Sequence, residues 1–201
     1  DLVTIPVSSE PLQPTVARNL GADGAPLRFE DFTGASGLEG APMALGVFGD
    51  VDDDGDQDLF AGQSGRSRGE PGIWLNDGTG RFTPVADPGL ASTTVEANAI
   101  YEEQAGGAFA DFDGDGHLDL YVGHWRLGAL DAGGALRTAR GYGEADQLYL
   151  GDGAGGFVRQ TLPSQTNPMT VAQDPDLEGT ARPTYGVCVA DFDDDGDMDV
   201  F

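Results

Sequence analysis

The sequence predicts an all-β protein made of repeated four-stranded antiparallel units. Three observations support this prediction within the 201 residues of the chain. A nine-residue acidic pattern begins at residues 50, 111 and 191, short apolar segments flank each copy, and a glycine-rich pattern follows two of the copies. A pattern that returns at intervals of several tens of residues is typical of repeat architectures.

The acidic pattern has the spacing D-x-D-x-D-G-x-x-D and spans residues 50–58, 111–119 and 191–199. It places carboxylates at positions 1, 3, 5 and 9, with a glycine at position 6 in every copy. Carboxylates at this density repel one another unless a cation lies among them. The pattern therefore predicts three sites for a hard cation, with calcium as the preferred ion.

Calcium binds six to eight oxygen atoms, which this loop type can supply at regular positions. We expect positions 1, 3 and 5 to bind through side chains, position 7 through its backbone carbonyl, and position 9 through a carboxylate that can be bidentate. The glycine at position 6 permits a left-handed turn that folds the loop over the ion. Because protein atoms fill the ligand positions, we expect the ions to be structural rather than catalytic. The predicted ligands are Asp50, Asp52, Asp54, Asp56 (carbonyl) and Asp58; Asp111, Asp113, Asp115, His117 (carbonyl) and Asp119; and Asp191, Asp193, Asp195, Asp197 (carbonyl) and Asp199.

Other ions and other loop types fit the acidic pattern less well. An EF-hand loop requires Glu at position 12 and flanking helices, whereas position 12 is Ala61 in the first loop and Val122 in the second. Magnesium keeps several water ligands, and transition metals prefer His or Cys side chains. We expect the His117 side chain to point outward and not to bind the ion. The alternative that these loops are solvated acidic turns without an ion stays open.

Each acidic loop lies between two short apolar segments, which we predict as strands A and B. Both kinds of segment are rich in aromatic and β-branched residues and are bounded by glycine, as is typical of short strands. Cys188, the single cysteine, lies in the third A strand and is predicted to be buried, and no internal disulfide can form. The predicted A strands cover residues 44–49, 106–110 and 185–190, and the B strands cover 59–62, 120–123 and 200–201.

The glycine-rich pattern predicts a hairpin of two further strands, C and D. Residues 73–83 and 148–158 align as a strand, an Asp-Gly-x-Gly turn, and a second strand that begins at Phe82 or Phe157. Strand D also occurs alone at residues 29–33, before the first acidic loop. The tail that follows it, at 34–38, resembles residues 87–90.

Four antiparallel strands, with an acidic loop between A and B and a glycine turn between C and D, are typical of a β-propeller blade. We predict blades at about 44–85 and 106–160, the second with an insertion, and an incomplete blade at 185–201. The partial propeller thus covers residues 29–201, with about two blades and parts of two more, while residues 1–28 form an unassigned extended segment. A closed propeller needs four to eight blades, so we expect a fragment of a longer chain.

The repeats resemble a known family. The acidic loop with an apolar residue at position 2 (Val51, Phe112 or Phe192), followed by a Leu-Tyr-Leu-x-Asp-Gly-x-Gly-x-Phe segment that ends at Phe157, is similar to FG-GAP/VCBS repeats. Such repeats build the propeller heads of integrin α chains and of many bacterial surface proteins. Residues 48–60, with the later stretch 82–90, resemble the cartilage acidic protein and ASPIC/UnbV group in particular.

The resemblance implies an extracytoplasmic protein, whether secreted, periplasmic or on the cell surface. It implies a propeller that holds about three structural Ca²⁺ ions and acts as a scaffold for adhesion or for binding a protein or glycan. We expect no enzymatic activity, since no nucleophile elbow, zinc motif or phosphate loop occurs in the sequence. Two alternatives remain, because related propellers occur in secreted carbohydrate-active or lipid-active enzymes and in structural subunits of larger surface assemblies.

The charge of the chain excludes two classes of partner. Its 35 acidic and 10 basic side chains give a formal net charge of −25 at pH 7. A surface of this sign repels nucleic acid and anionic lipid, which bind to basic surfaces. No apolar stretch approaches the ~20 residues of a membrane span. We therefore expect no nucleic-acid partner and no membrane insertion.

The long connections of the chain predict which face of the propeller binds a partner. In each blade the A–B loop and the C–D turn share one face, and the B–C and D–A connections share the other. Irregular connections on a rigid scaffold are common recognition elements. We therefore place the partner on the face opposite the acidic loops. The long connections predicted there cover residues 62–72, 86–105, 124–146 and 161–184.

His124, Trp125 and Arg126 open the insertion of the second predicted blade and form the predicted partner-binding cluster. Aromatic and arginine side chains are frequent at the centres of interfaces. The alternative is that Trp125 packs beneath its own insertion and that Arg126 pairs with an acidic residue such as Glu144.

Overall fold

A computed structural model describes residues 2–4, 14–21, 27–41, 43–62, 70–90, 99–130, 136–137, 146–160 and 184–201 of the chain. These residues form four antiparallel sheets and one short helix, which confirms the predicted all-β class. We number the sheets first to fourth in chain order. Among the described residues, no helix is long and apolar enough to cross a membrane.

The first sheet contains three short strands in the order β1-β2-β3. Strand β3 is the predicted lone D strand, but it ends at Asp31 because the chain turns into helix α1, whose C-cap Gly37 has φ +79°. The segment 1–28, which the sequence left unassigned, supplies the other two strands. The bounds are Leu2–Thr4 for β1, Thr15–Asn19 for β2, Phe29–Asp31 for β3 and Thr33–Ser36 for α1.

The second sheet corresponds to the predicted blade at 44–85. Its four antiparallel strands lie in the order β4-β5-β6-β7, and they match predicted strands A to D. The glycine turn between β6 and β7 closes with a hydrogen bond of 3.1 Å from the Asp77 N–H to the Arg81 carbonyl. The bounds are Leu45–Gly49 for β4, Asp58–Gly62 for β5, Gly72–Asn76 for β6 and Phe82–Pro84 for β7.

The third sheet contains the predicted blade at 106–160 but has longer A and B strands than expected. Strand β9 pairs with β8 along its whole length, and its far end also pairs with β10. Residues 99–105 and 124–130, predicted to be irregular connections, are therefore strand. The bounds are Ala99–Ala110 for β8, Asp119–Leu130 for β9, Leu136–Arg137 for β10, Gln147–Gly151 for β11 and Phe157–Gln160 for β12.

The fourth sheet is a two-stranded hairpin of β13 (Val189–Ala190) and β14 (Asp199–Val200). Cys188 precedes it and exchanges two backbone hydrogen bonds of 2.8 Å with Phe201. The prediction that Cys188 is buried was wrong, since its thiol is free and exposed. A hairpin of two short strands cannot cover both of its own faces.

The apolar core lies between neighbouring sheets. Strand β5 is buried along its whole length. Its alternate side chains point to opposite faces of the second sheet, so each face must be covered by a neighbouring sheet. Leu59 packs with Val16 of the first sheet, while Phe60 packs with Tyr149 and Phe157 of the third. The second sheet is thus covered on both faces, as a blade inside a propeller would be. The partial propeller itself stays a prediction.

Position 2 of the first acidic loop takes part in this packing. Val51 is 2% exposed, and its carbonyl accepts a hydrogen bond of 3.2 Å from the Gly155 N–H of the third sheet. The interface between the first and second sheets is less tightly packed and contains a cavity of about 270 Å³, lined in part by Val3, Val16 and Phe82. Val51 is therefore a packing residue, whereas Phe192 at position 2 of the third loop is exposed.

The repeated tails at 34–38 and 87–90 connect one sheet to the next. Gly37 has φ +79°, and a Cβ atom placed on it would lie 2.5 Å from the Phe82 carbonyl oxygen. Gly89 has φ +75°, and a Cβ atom there would collide with the Phe157 carbonyl oxygen. Each tail therefore approaches the first residue of strand D in the following sheet so closely that only glycine fits.

We expect Gly37→Ala to destabilise the protein by about 2–4 kcal/mol. The new Cβ atom meets a backbone carbonyl that cannot move easily, and a left-handed alanine adds about 1 kcal/mol of strain. Gly40→Ala is the matched control, because Gly40 also has a positive φ of +76° but nothing lies within 4 Å of its Cβ position. Urea unfolding should show a loss of only about 1 kcal/mol for the control. Equal losses for both variants would contradict the close contact.

Candidate metal centres

The three acidic loops occupy the same place in three sheets. Each connects two paired antiparallel strands, β4 to β5, β8 to β9 and β13 to β14. The strand flanks confirm that an A and a B strand enclose each loop, but the third A strand, predicted at 185–190, covers only Val189–Ala190. They also exclude the EF-hand, which requires a helix on each side of the loop.

The carboxylate at position 1 fixes the turn of each loop. In the first loop, Asp50 Oδ1 accepts the Asp54 N–H and Oδ2 accepts the Gly55 N–H, both at 3.0 Å. The carboxylate at position 5 then accepts the N–H of position 7, with 2.9 Å from Asp56 N to Asp54 Oδ1. The other two loops repeat these bonds, from Asp115 and Gly116 to Asp111, from His117 to Asp115, from Asp195 and Gly196 to Asp191, and from Asp197 to Asp195.

The backbone at two positions of each loop is left-handed. The predicted turn at position 6 is confirmed, because Gly55, Gly116 and Gly196 have φ values of +94°, +95° and +99°. Position 4 is also left-handed, with φ +59° at both Asp53 and Asp194. The sequence contained a signal for this second turn, since the loops have only Asp or Gly at position 4, and both residue types tolerate this conformation.

The carboxylate at position 9 connects three segments of its sheet. Asp58 is fully buried; its Oδ2 accepts the Val51 N–H at 2.9 Å and its Oδ1 accepts the Asn76 N–H at 2.8 Å. Burial is the largest cause of the raised pKa of Asp58. Each oxygen of Asp58 thus already accepts a backbone N–H, one from the loop and one from the end of strand C. The sequence did not predict this role. The corresponding bonds are from Phe112 and Gly151 to Asp119 and from Phe192 to Asp199.

The carboxylate at position 3 of the first loop offers an oxygen to an ion. Oδ1 of Asp52 is buried and has no hydrogen-bond partner among the described residues. The pKa of Asp52 is raised, first by burial and then by repulsion from Asp58 and Asp54. A buried carboxylate oxygen without a donor is costly unless a cation compensates for it. The environment of this oxygen atom is therefore the feature of the loop that best fits a bound cation.

Each loop brings three of its predicted side-chain ligands together. In every loop, one oxygen atom from each of three carboxylates lies within 4.8 Å of the other two. All-oxygen donor sets of this kind suit a hard cation such as Ca²⁺. The carbonyl ligands at position 7 stay predictions. The clusters are Asp50, Asp52 and Asp58; Asp111, Asp113 and Asp115; and Asp191, Asp193 and Asp199.

His117 connects the second acidic loop to the first. Its Nδ1 atom lies 2.6 Å from Oδ2 of Asp53, at position 4 of the first loop. This hydrogen bond is the main cause of the raised pKa of His117. The side chain was predicted to point outward, and it is about 40% exposed. The sequence did not predict its contact with the neighbouring loop.

The predicted partner cluster does not present all of its side chains on the surface. His124 is only 1% exposed, so its side chain is part of the interior rather than a contact for a partner. Trp125 and Arg126 continue along strand β9, opposite Glu103 and Glu102 of β8. Their side chains, and all of Glu144, lie outside the described residues.

The carboxylate of Asp146, near His124, connects the third sheet to Thr184, which lies before the fourth sheet in the chain. Asp146 Oδ1 accepts the His124 N–H at 2.9 Å, while Oδ2 accepts the hydroxyls of Tyr121 at 3.1 Å and Thr184 at 2.7 Å. Burial, followed by the charge of Asp146, raises the pKa of Tyr121. The sequence did not predict this network, since its members are distant in the chain.

The comparison with known families matches one part of the chain. Residues 50–122 match the family model of FG-GAP-like repeats. This FG-GAP-like stretch holds the first two acidic loops and most of the second sheet. No curated protein matches the chain, and no solved structure matches it. The narrower cartilage acidic protein and ASPIC/UnbV grouping stays a prediction.

Proposed function

We propose that this chain is part of a calcium-stabilised, extracytoplasmic β-propeller that acts as an interaction scaffold. The FG-GAP-like match supports an integrin-like interaction domain. The observation that carries the calcium proposal is the buried Oδ1 atom of Asp52, which lacks a donor among the described residues and lies beside Asp50 and Asp58.

The proposed role of the ion is structural. When bound, Ca²⁺ supplies positive charge that compensates for the carboxylates of its loop. Those carboxylates already order the loop by accepting its backbone N–H groups. The ion and the loop conformation therefore stabilise each other. Calcium loops of extracellular modules commonly bind with Kd values of about 10⁻⁴–10⁻³ M, which suits the extracytoplasmic location that we propose.

The proposed partner surface is the extended hairpin of β8 and β9. Strand β11 pairs with β9 only as far as Val122, so residues 123–130 of β9 and their β8 partners run past the blade. This extension points away from the acidic loop at 111–119, which connects the other ends of the two strands. Trp125 and Arg126 lie on it, and the proposed partner is a protein or a glycan.

We propose a scaffold rather than an enzyme, because the sequence contains no nucleophile elbow, zinc motif or phosphate loop. The His117 side chain is hydrogen-bonded to Asp53, and the His124 side chain is buried. His124 is therefore not an accessible general base within the described part of the chain, whereas His117 is partly exposed and its Nδ1 atom contacts Asp53. An accessory propeller of a secreted enzyme and a subunit of a surface assembly remain alternative proposals.

Two measurements test the proposal. Isothermal titration calorimetry should detect about three Ca²⁺ ions per chain, and a glycan array with a surface-protein panel should identify a partner. Trp125→Ala with Arg126→Ala should weaken partner binding at least ten-fold without changing the melting temperature. Arg159→Ala, at an exposed arginine of β12, is the matched control and should bind normally. A titration without binding heat, or equal partner affinity for all variants, contradicts the corresponding half of the proposal.

A further inference from the structure

One side-chain contact joins two of the candidate metal loops. Oδ2 of Asp53 in the first loop and Nδ1 of His117 in the second lie 2.6 Å apart, and the residues are 64 positions apart in the chain. Neither side chain is among the predicted ligands. Both side chains are more than a third exposed, so burial alone does not explain the contact.

The position of Asp53 depends on the conformation of the first loop. It lies between the candidate ligands Asp52 and Asp54 and adopts φ +59°, which is uncommon for a residue with a side chain. A change in the turn would move the Asp53 carboxylate away from His117. The Asp53 side chain therefore reaches His117 only when the first loop keeps its ordered conformation.

The position of His117 depends on the second loop in the same way. Its backbone N–H donates a hydrogen bond of 2.9 Å to Oδ1 of Asp115, and its carbonyl is the proposed position-7 ligand. Its side chain contacts the first loop, while its main chain belongs to the metal site of the second. Any restraint on the imidazole therefore also restrains that site.

The glycine turn of the third sheet closes over the contact. Gly153 has φ +67°, and a Cβ atom on it would collide with the His117 ring and lie 2.8 Å from Oδ2 of Asp53. The two side chains are thus held between two loops and a turn. Such packing limits the alternative positions that either side chain can adopt.

We propose that Asp53 and His117 are positioning residues that couple the first two calcium sites, so that an ion in one loop raises the affinity of the other. This inference rests on the proposed function, since it needs ions in both loops. An ion that orders the first loop also orders Asp53, and the second loop then loses less conformational freedom when it binds its own ion. The effect must be reciprocal, because coupling between two binding equilibria is symmetric.

The repulsion between two bound cations acts against this coupling. It is screened over about 8–10 Å at physiological ionic strength. Calcium affinities are therefore compared between variants that hold the same two ions and differ only in the contact between Asp53 and His117. His117→Gln at pH 8 removes the imidazole without altering any carboxylate.

The test is a calcium titration of a two-site reference protein. Asp191→Asn with Asp193→Asn disables the third loop, and calorimetry at pH 8 then reports the two remaining sites. In the reference we expect binding of the second ion to be favoured about five-fold over the same step in the His117→Gln variant. Asp53→Asn should show the same loss. Asp194→Asn removes the carboxylate at the equivalent position of the third loop and should leave the coupling unchanged.

A second readout does not depend on affinity. With the second loop disabled by Asp111→Asn and Asp113→Asn, calcium should still shift the His117 ring signals in NMR spectra, and Asp53→Asn should abolish that shift. Two ions that bind with the same constants in the reference and in His117→Gln overturn the inference and leave the calcium proposal intact. Absence of calcium binding in the reference overturns both.

Discussion

Removal of calcium with EDTA is expected to lower the melting temperature of this protein by more than about 10 °C. The three acidic loops contain 16 of the 35 carboxylates of the chain. Without ions, these carboxylates repel one another, and Asp52 Oδ1 remains buried without a donor from the described residues. Both effects favour the unfolded chain, in which the carboxylates can separate and become hydrated.

The size of the shift follows from the occupancy of the sites. At a free calcium concentration of about 100 times Kd, each site adds about 2.7 kcal/mol to the free energy of unfolding. Three such sites add about 8 kcal/mol, and each 1 kcal/mol moves the melting temperature of a chain of this size by about 2–4 °C. A shift between about 15 and 30 °C is therefore expected at saturation.

Differential scanning calorimetry with and without EDTA measures this effect. Calcium in excess of the chelator should restore the original transition, whereas magnesium should restore little of it, because Mg²⁺ keeps several of its waters. Asp52→Asn should reduce the shift by about one third, since it disables one of three sites. A thermal transition that EDTA leaves unchanged would refute structural calcium in this protein.

Replacement of Asp58 by Ala is expected to destabilise the protein even when no calcium is present. Asp58 accepts the N–H groups of Val51 and Asn76, and it is fully buried. Alanine leaves both donors without an acceptor, at a cost of about 1–3 kcal/mol each. We therefore expect a loss of about 2–6 kcal/mol in EDTA, and a further loss in calcium.

The matched control for Asp58→Ala is Asp52→Asn, which affects the same loop. Asp52 Oδ1 accepts no hydrogen bond from the described residues, and its burial as a charged group is unfavourable. In EDTA the Asn variant should be as stable as the parent protein or more so, while in calcium it should be less stable. Urea unfolding in both buffers separates the two roles. Equal losses in EDTA for both variants would contradict a separate structural role for position 9.

If Asp58→Ala does not fold, Asp58→Asn provides the same test in a milder form. The amide keeps one acceptor oxygen for Val51 or Asn76 and loses the other. We expect about half of the loss predicted for alanine. The corresponding variant of Asp119, which accepts the Phe112 and Gly151 N–H groups, should behave alike.

The fold signals that the sequence contained were local. Strands β4 and β5 flank an acidic loop, and β6 and β7 flank an Asp-Gly-x-Gly turn, so the predicted four-stranded antiparallel unit is present, while its assignment as a propeller blade stays a prediction. Within these segments, turn glycines and apolar residues lie within a few positions of the features that they define. No distant partner is needed to identify them.

Strand length in the third sheet was not predictable in this way. Residues 99–105 and 124–130 contain charged residues and belong to no repeated pattern, yet β8 and β9 pair through Glu102 opposite Arg126 and Gln104 opposite His124. Each segment becomes a strand because the other lies beside it. The same pairing carries His124 into the interior, where a sequence pattern had placed it on the surface.

The sequence by itself determined the acidic loops and the repeated unit that contains them. Nine consecutive residues encode the turn glycine, the carboxylates and their bonds to nearby N–H groups, because all of these atoms lie within one loop. The tertiary structure alone decided the second partner of Asp58, the fit of Gly37 against Phe82, and the contact of Asp53 with His117. These contacts join atoms from different strands or sheets, and they exist only after strand pairing and sheet packing have brought distant segments together.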